Sequence, residues 1–562
     1  MEVFNLLAPT LSGTKDEYGK DFVPPLPLSV DRVMENRPFK SPAPLLQLAP
    51  EILGIILSHI DSDSLSSLAL VNSDCRQLAR SRQFASVCFD YSDASLDLIS
   101  LLLDEKASRN STNNNLGSKF GAIEPCVRRL TVAAHPGWVQ YRHHIDLSEF
   151  AELDESVQQE RLAKASDAFS LYKRDIESIL SSRAALLHLE LLDWEDKVPL
   201  VQSFFNSLTT SSIQHLKLYR VSVDEDFEVI QPSVSNRWDL RSLNMEILPK
   251  MRHMRDQRST SRLCASLLQS CSHSLETLVW GTCRGGTYTF GSNPADFPRL
   301  AKVRNLGLSC IKFSDIGTVN ALLESSLSVL DLEYNYDPVI VEALRKHGRI
   351  RSLETLLFSI SNLLGGTTDN YIEFLKENTQ ISKLTILGSL HCKEGEPGGD
   401  IPETVILPIL SSSFHALTSL RLGWNENVTS VPDAALVLIS KMETLEQVCL
   451  TVGCQFGWKY DWLVDHESIR NHLSSLPRLK KIAFTRDSYQ SINSLGEIEH
   501  GLYYSDRTLP IAQLDAAGVD WRYGDLRQQI EQFWEDEHKK RMILEAGKYA
   551  AVIPRLEWIY IG

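Results

Sequence analysis

Leu327-Ser328-Val329-Leu330-Asp331-Leu332, Leu353-Glu354-Thr355-Leu356-Leu357-Phe358 and Ile381-Ser382-Lys383-Leu384-Thr385-Ile386 are three copies of one short pattern. An apolar residue is followed three positions later by a second, and two positions after that by a third. Apolar segments this short, with a polar residue often between the last two apolar ones, read as buried strands rather than helices. Working outward, the pattern recurs at Val127/Leu130/Val132, Leu186/Leu189/Leu191, Ile213/Leu216/Leu218, Leu240/Leu243/Met245, Leu275/Leu278/Trp280 and Val303/Leu306/Leu308. Beyond the quoted stretch it returns at Leu417/Leu420/Leu422, Leu445/Val448/Leu450, Leu479/Ile482/Phe484 and Leu556/Ile559/Ile561. In a chain that is 43% hydrophobic the pattern alone is a weak sign. Spacing decides: from Leu186 to Leu479 the intervals are 27, 27, 35, 28, 24, 26, 28, 36, 28 and 34 residues.

Helical stripes precede many of these segments, among them Ile176/Ile179/Leu180, Leu200/Phe204/Leu208, Leu263/Leu267/Leu268, Val319/Leu322/Leu323, Ile372/Leu375 and Ile469/Leu473/Leu476. Short strands alternating with helices at a period near 28 imply a right-handed coil of parallel β–α units, an α/β fold. The array resembles an irregular leucine-rich-repeat solenoid, with short parallel strands and outer helices. The resemblance makes the leucines scaffold, and leaves recognition to strand positions between them or to loops. Glu190, Lys217, Asn244, Asp331, Arg421 and Thr451 are expected to be such exposed positions. The longer intervals mark inserts near 282–298, 388–413 and 452–472. Phe456, Trp458, Tyr460 and Trp462 alternate with Gly, Lys and Asp in the last, and are a candidate target-binding surface. The plainer reading is that they pack on neighbouring repeats.

Ahead of the array the texture differs. Leu45, Leu46, Leu48, Ile52, Leu53, Ile56, Leu57 and Ile60 recur at helical spacing, with Pro50 and Glu51 suited to a first turn. Asp61-Ser62-Asp63-Ser64 offers caps for a second helix bearing Leu65, Leu68, Ala69 and Leu70. After the break at Val71-Asn72-Ser73, with Ser73 as expected cap, a third helix carries Cys75, Leu78 and Ala79. Leu48-Ala49-Pro50-Glu51-Ile52-Leu53, Ile56-Leu57, the Leu-rich segment ending Val71-Asn72, and Cys75-Arg76 together resemble an F-box over about residues 44–84. Ala49 stands where that family has its first proline, and Cys75 where it has an aromatic.

The chain as a whole therefore resembles F-box proteins of the fungal type with leucine-rich-repeat-like solenoids. What the resemblance implies is a substrate-recognition subunit of a ubiquitin ligase, non-catalytic in itself. It would dock to a Skp-family adaptor, and through it to a cullin, while the repeats hold an unknown target protein. Leu48, Pro50, Glu51, Ile52, Leu53, Ile56, Leu57, Leu65, Leu68 and Val71 would lie at or beside the adaptor surface. The alternative is a repeat scaffold whose helical module only caps the solenoid. The expected organisation is a flexible lead over 1–43, the helical module over 44–90, a linker and first irregular repeats over 91–185, the solenoid over 186–484, and a C-terminal cap with a helix and final strand over 485–562.

Charge narrows the partners. The 57 basic and 72 acidic side chains give a net charge of −15, which opposes nucleic acid or an anionic membrane as main partner. Ten cysteines in 562 residues, with no Cys-x-x-Cys, are too sparse for a disulfide scaffold. The amino end has no basic region before its short apolar run, and no stretch nears 18 uninterrupted apolar residues. The expectation is a protein of the cytosol, the nucleus or both. No phosphate-binding loop, His-Glu-x-x-His or Gly-x-Ser-x-Gly occurs. His143-His144 near His135 lacks further donors at ligand spacing, so neither a metal nor a cofactor is expected.

Overall fold

Each motif places its second and third apolar residues on one side of an extended chain, so successive motifs build a common core only if their strands run parallel and in register. The computed structural model shows that register. It describes residues 40–110, 122–145, 150, 153–181, 186, 188–196, 199–231, 238–249, 260–281, 287–288, 297–333, 335, 337–360, 367–387, 402–424, 428, 430–452, 454–456, 459–462, 464–484, 491–492, 498–499 and 526–561. Among these, two compact units separate: residues 40–306 with 310–325, and residues 307–309 with 326–561.

The first unit begins with three helices, α1 (Pro50–Ser58), α2 (Ser62–Ala69) and α3 (Ser73–Gln83). Then follow β1 (Ser86–Phe89), α4 (Asp93–Asn110), β2 (Arg129–Val132), α5 (Pro136–His143), α6 (Glu155–Leu180), β3 (Leu191–Trp194) and α7 (Gln202–Leu208). The unit continues through β4 (His215–Val223), β5 (Ser242–Pro249), α8 (Ser261–Cys271), β6 (Thr277–Gly281) and α9 (Ile316–Leu323). Strands β1 to β6 pair in sequence order, all parallel. Leu130, Leu192, Leu216, Leu243 and Leu278 stand in one row, and Val132, Trp194, Leu218, Met245 and Trp280 in the next. Both rows are buried, each leucine contributing about 2 kcal/mol by leaving water.

In the second unit, β7 (Val329–Leu332), α10 (Pro338–His347), β8 (Thr355–Ser359), α11 (Thr367–Glu377), β9 (Lys383–Leu387), α12 (Leu407–Ser413), β10 (Ser419–Gly423) and α13 (Asp433–Ile439) alternate. They lead to β11 (Gln447–Thr451), α14 (His466–Leu473), β12 (Lys481–Phe484), α15 (Leu526–Val552) and β13 (Trp558–Ile561). These strands too pair in order and in parallel. Two asparagines staple the returns. The buried Asn378 side chain accepts from the Ile350 amide at 2.9 Å and donates to the Gly348 and Phe374 carbonyls, while Asn335 donates to the Leu308 carbonyl at 3.3 Å. Gly348 ends α10 at φ +70°, a conformation that glycine adopts without a side-chain clash.

Two expectations need correction. The motif at Leu186/Leu189/Leu191 is displaced by three residues: Leu192 pairs with Leu130 and Trp194 with Val132, so the strand is Leu191–Trp194. Both frames satisfy the apolar pattern in this Leu-rich stretch, and the buried Trp194 settles the frame. Second, Glu190, Arg421 and Thr451 are buried rather than exposed, while Lys217, Asn244 and Asp331 are half-buried. Glu190 is drawn in by Arg128, whose guanidinium donates to both its carboxylate oxygens at 2.8 and 3.0 Å. Among the described residues no helix is long and apolar enough to cross a membrane.

Candidate functional site

The three-helix module is too small to bury all of its apolar residues, and its sequence decides which are left out. Leu53 and Leu57 of α1 meet Leu46, Leu65, Cys75, Leu78 and Ala79 in one cluster, with Ile60, Leu68 and Ala69 packed against it. Facing the other way are Leu48, Glu51, Ile52 (47% exposed) and Ile55 (61%), and the turn between α2 and α3 lifts out Leu70 (80%) and Val71 (66%). Ile56 is half-buried, and Pro50 takes the first turn of α1. Of the expected adaptor-facing residues, Leu53, Leu57 and Leu65 therefore belong to the module's own core. Leu48, Glu51, Ile52 and Val71 remain at its surface. The helical stripe alone gave no sign of Ile55, which is apolar at a position turned from that core.

Local chemistry fixes these helices. Asp61 caps α2, its carboxylate accepting from the Ser64 amide at 2.9 Å and the Ser64 hydroxyl at 2.8 Å. Those donors hold its pKa below the ordinary carboxylate value. Helix α3 is capped by Asn72 rather than Ser73: the Asn72 side-chain oxygen accepts from the Cys75 amide at 2.8 Å. Cys75 fills a small core site, where burial pushes its thiol pKa up. The buried Asp74 carboxylate accepts from the amides of Lys40 and Ser41 at 2.7 and 2.8 Å. Gln77 donates to the Ala122 carbonyl at 3.1 Å, tying α3 to the short turn Glu124–Cys126 that precedes β2. The module and the first strands are thus joined by packing as well as by chain.

The aromatic insert is different in kind. Cys454–Phe456 and Lys459–Asp461 pair as an antiparallel hairpin that carries Phe456 and Tyr460, and Trp458 lies outside the described residues. Trp462 is 1% exposed and meets the Phe484 ring edge-on, with centroids 5.9 Å apart. It is a core side chain, so the expected four-residue aromatic surface does not include it. Among the described residues, no group of three or more His, Cys, Asp or Glu side chains is placed to hold a metal ion. His143 instead bonds the Tyr91 hydroxyl at 2.9 Å. Burial, and then Arg142 beside it, lowers the pKa of this histidine. In comparison with known proteins, the chain matches no family model and no curated protein.

Proposed function

We propose that this chain is a substrate receptor of a Skp–cullin–F-box type ubiquitin ligase, its helical module docking to the Skp-family adaptor and its repeats holding a target protein. The observation that carries the reading is the set of apolar side chains the module leaves uncovered, Ile52, Ile55, Leu70 and Val71 above all. A folded module does not keep large aliphatic groups in water without cost, and a partner helix laid on them recovers about 25 cal/mol per Å² of apolar surface. The residues quoted for the F-box resemblance add the Pro50-Glu51 start and the Val71-Asn72 turn at matching offsets. On this reading catalysis is proximity. Tethering a target beside a charged ubiquitin carrier raises its effective concentration, and the receptor needs no catalytic residue.

The bond from Gln77 to Ala122 also suits a scaffold whose module only caps the repeats. A cap has no use for Ile52 and Ile55 in solvent, which favours docking. The separating experiment is co-purification of the full chain with a co-expressed Skp-family adaptor, wild type against Ile52→Asp plus Ile55→Asp. Wild type should hold the adaptor and the double variant should lose it while keeping its helical content. A wild-type chain that never holds the adaptor would sink the receptor reading. Leu53→Asp and Leu57→Asp are unsuitable probes, because both side chains lie in the core.

A further inference from the structure

Resting on the receptor reading, we infer that the target segment docks on the open strand face of the first unit, as an acidic stretch of polypeptide lying against that face's arginine-lined edge. In the second unit the positions between the two core rows are buried from Leu357 through Thr385, Arg421 and Cys449 to Ala483, and only the outermost two, Asp331 and Tyr560, are half-buried. In the first unit the same positions are Cys88, Thr131, Asp193, Lys217, Asn244 and Val279, of which Cys88 and Val279 are exposed and the others half-buried. Lys217 and Asp193 lie 3.9 Å apart as an ion pair on this face, and Val279 on β6 is its exposed aliphatic group.

The edge where these strands begin has a regular construction. Arg128, Glu190, Gln214, Arg241 and Glu276 stand one residue before β2 to β6, Arg304 stands one residue before the short strand Asn305–Ser309, and each carbonyl from Arg128 to Glu276 accepts two successive amides of the next repeat. Glu190, for example, accepts from Gln214 and His215 at 2.9 Å each. The side chains therefore recur at one strand spacing, about 4.8 Å. Arg128 is engaged with Glu190. Beside them, Arg129, Arg241 and Arg304 outnumber Glu276, with His215 among them. Burial and then Arg128 lower the pKa of Arg129; burial and then Arg241 lower that of His215. Burial is the largest cause of both shifts, and Glu190 opposes each of them. Across the same face the sign reverses, since the Cys88 thiol is held up by burial and then by Asp90, Glu195 and Asp193. That carboxylate margin repels a phosphate backbone, so a polypeptide with its acidic residues toward the arginines fits better than a nucleic acid.

A chain of net charge −15 repels an acidic peptide overall, so binding of one reports a local cationic row. The probe is a fluorescein-labelled decapeptide of glutamate, titrated by anisotropy into the full chain without adaptor, which keeps the result separate from the co-purification. Saturable binding should weaken with salt and fall about tenfold or more in Arg241→Glu plus Arg304→Glu. Both arginines are exposed, so the fold should tolerate the change, and Lys441→Glu on the second unit should leave binding as in wild type. Wild-type affinity in the double variant overturns the inference. So does tighter binding of a ten-nucleotide oligouridine, which would make the face a nucleic-acid site.

Discussion

The two units use one repeat and finish its middle strands differently. Leu243 and Leu420 occupy equivalent core rows and are equally buried. The residue that follows each is Asn244, half-buried, in one case and Arg421, 2% exposed, in the other. The leucine pattern thus controls one side of each sheet and says nothing about the other. What lies over a strand face, rather than the strand's own sequence, decides whether a polar residue there is surface or interior. A cation as deeply buried as Arg421 is tolerated only where it is paired or hydrogen-bonded.

The sharpest way to break this comparison is to place a charge on both faces. Ala483→Asp should destabilise the second unit by on the order of 3 kcal/mol or more, as an uncompensated buried carboxylate. Asn244→Asp should stay within about 0.5 kcal/mol. Urea midpoints followed by amide exchange of the strands measure both, and equal costs would abolish the distinction. The core rows should behave alike: Leu243→Ala and Leu420→Ala should each cost about 2–5 kcal/mol by the same measurement. A much cheaper Leu243→Ala would mean that the first sheet is loosely packed.

Smaller effects sharpen the picture. Asn72→Ala should cost about 1 kcal/mol through the lost cap of α3, whereas Ser73→Ala should cost little. His215 titrates below its ordinary value because burial, then Arg241, disfavour its cation. Its contribution is present above pH 6.5 and lost as pH falls through the folded value, so wild type should lose stability relative to His215→Gln on acidification below pH 6.5. Alkylation of the native chain should label Cys88, exposed though its thiol pKa is raised. Burial pushes Cys449 up to about 11, and it should resist until the second unit unfolds. Mass mapping of labelled peptides reads this out, and early labelling of Cys449 would show that its face is open.

Much of the architecture was legible because strand burial is a periodic constraint. Outside Leu186/Leu189/Leu191, the motif residues lie on or just before strands of the expected frame, and the helical stripes at Ile176/Ile179/Leu180 and Leu263/Leu267/Leu268 fall on α6 and α8. The strand β1, with Val87 and Phe89 buried, carries the same motif as Phe84/Val87/Phe89, but it stands 43 residues ahead of Val127/Leu130/Val132, outside the period that singles out the other copies. The candidate site was legible as a segment and not as a surface. Helical spacing groups Ile52, Leu53, Ile56 and Leu57 on one broad stripe. Only packing divides that stripe into the buried pair Leu53 and Leu57 and the exposed Ile52.

By itself, then, the sequence determined the alternation of strand and helix, the apolar row each strand contributes and the position of the helical module. Those follow from local periodicity and from the need to remove leucines from water. The tertiary structure alone decided which polar strand residues are buried, which isoleucines of α1 stay in solvent, that Trp462 is core, and that arginines from separate repeats share one edge. Each of these depends on groups brought together from distant parts of the chain, at distances that no local pattern encodes.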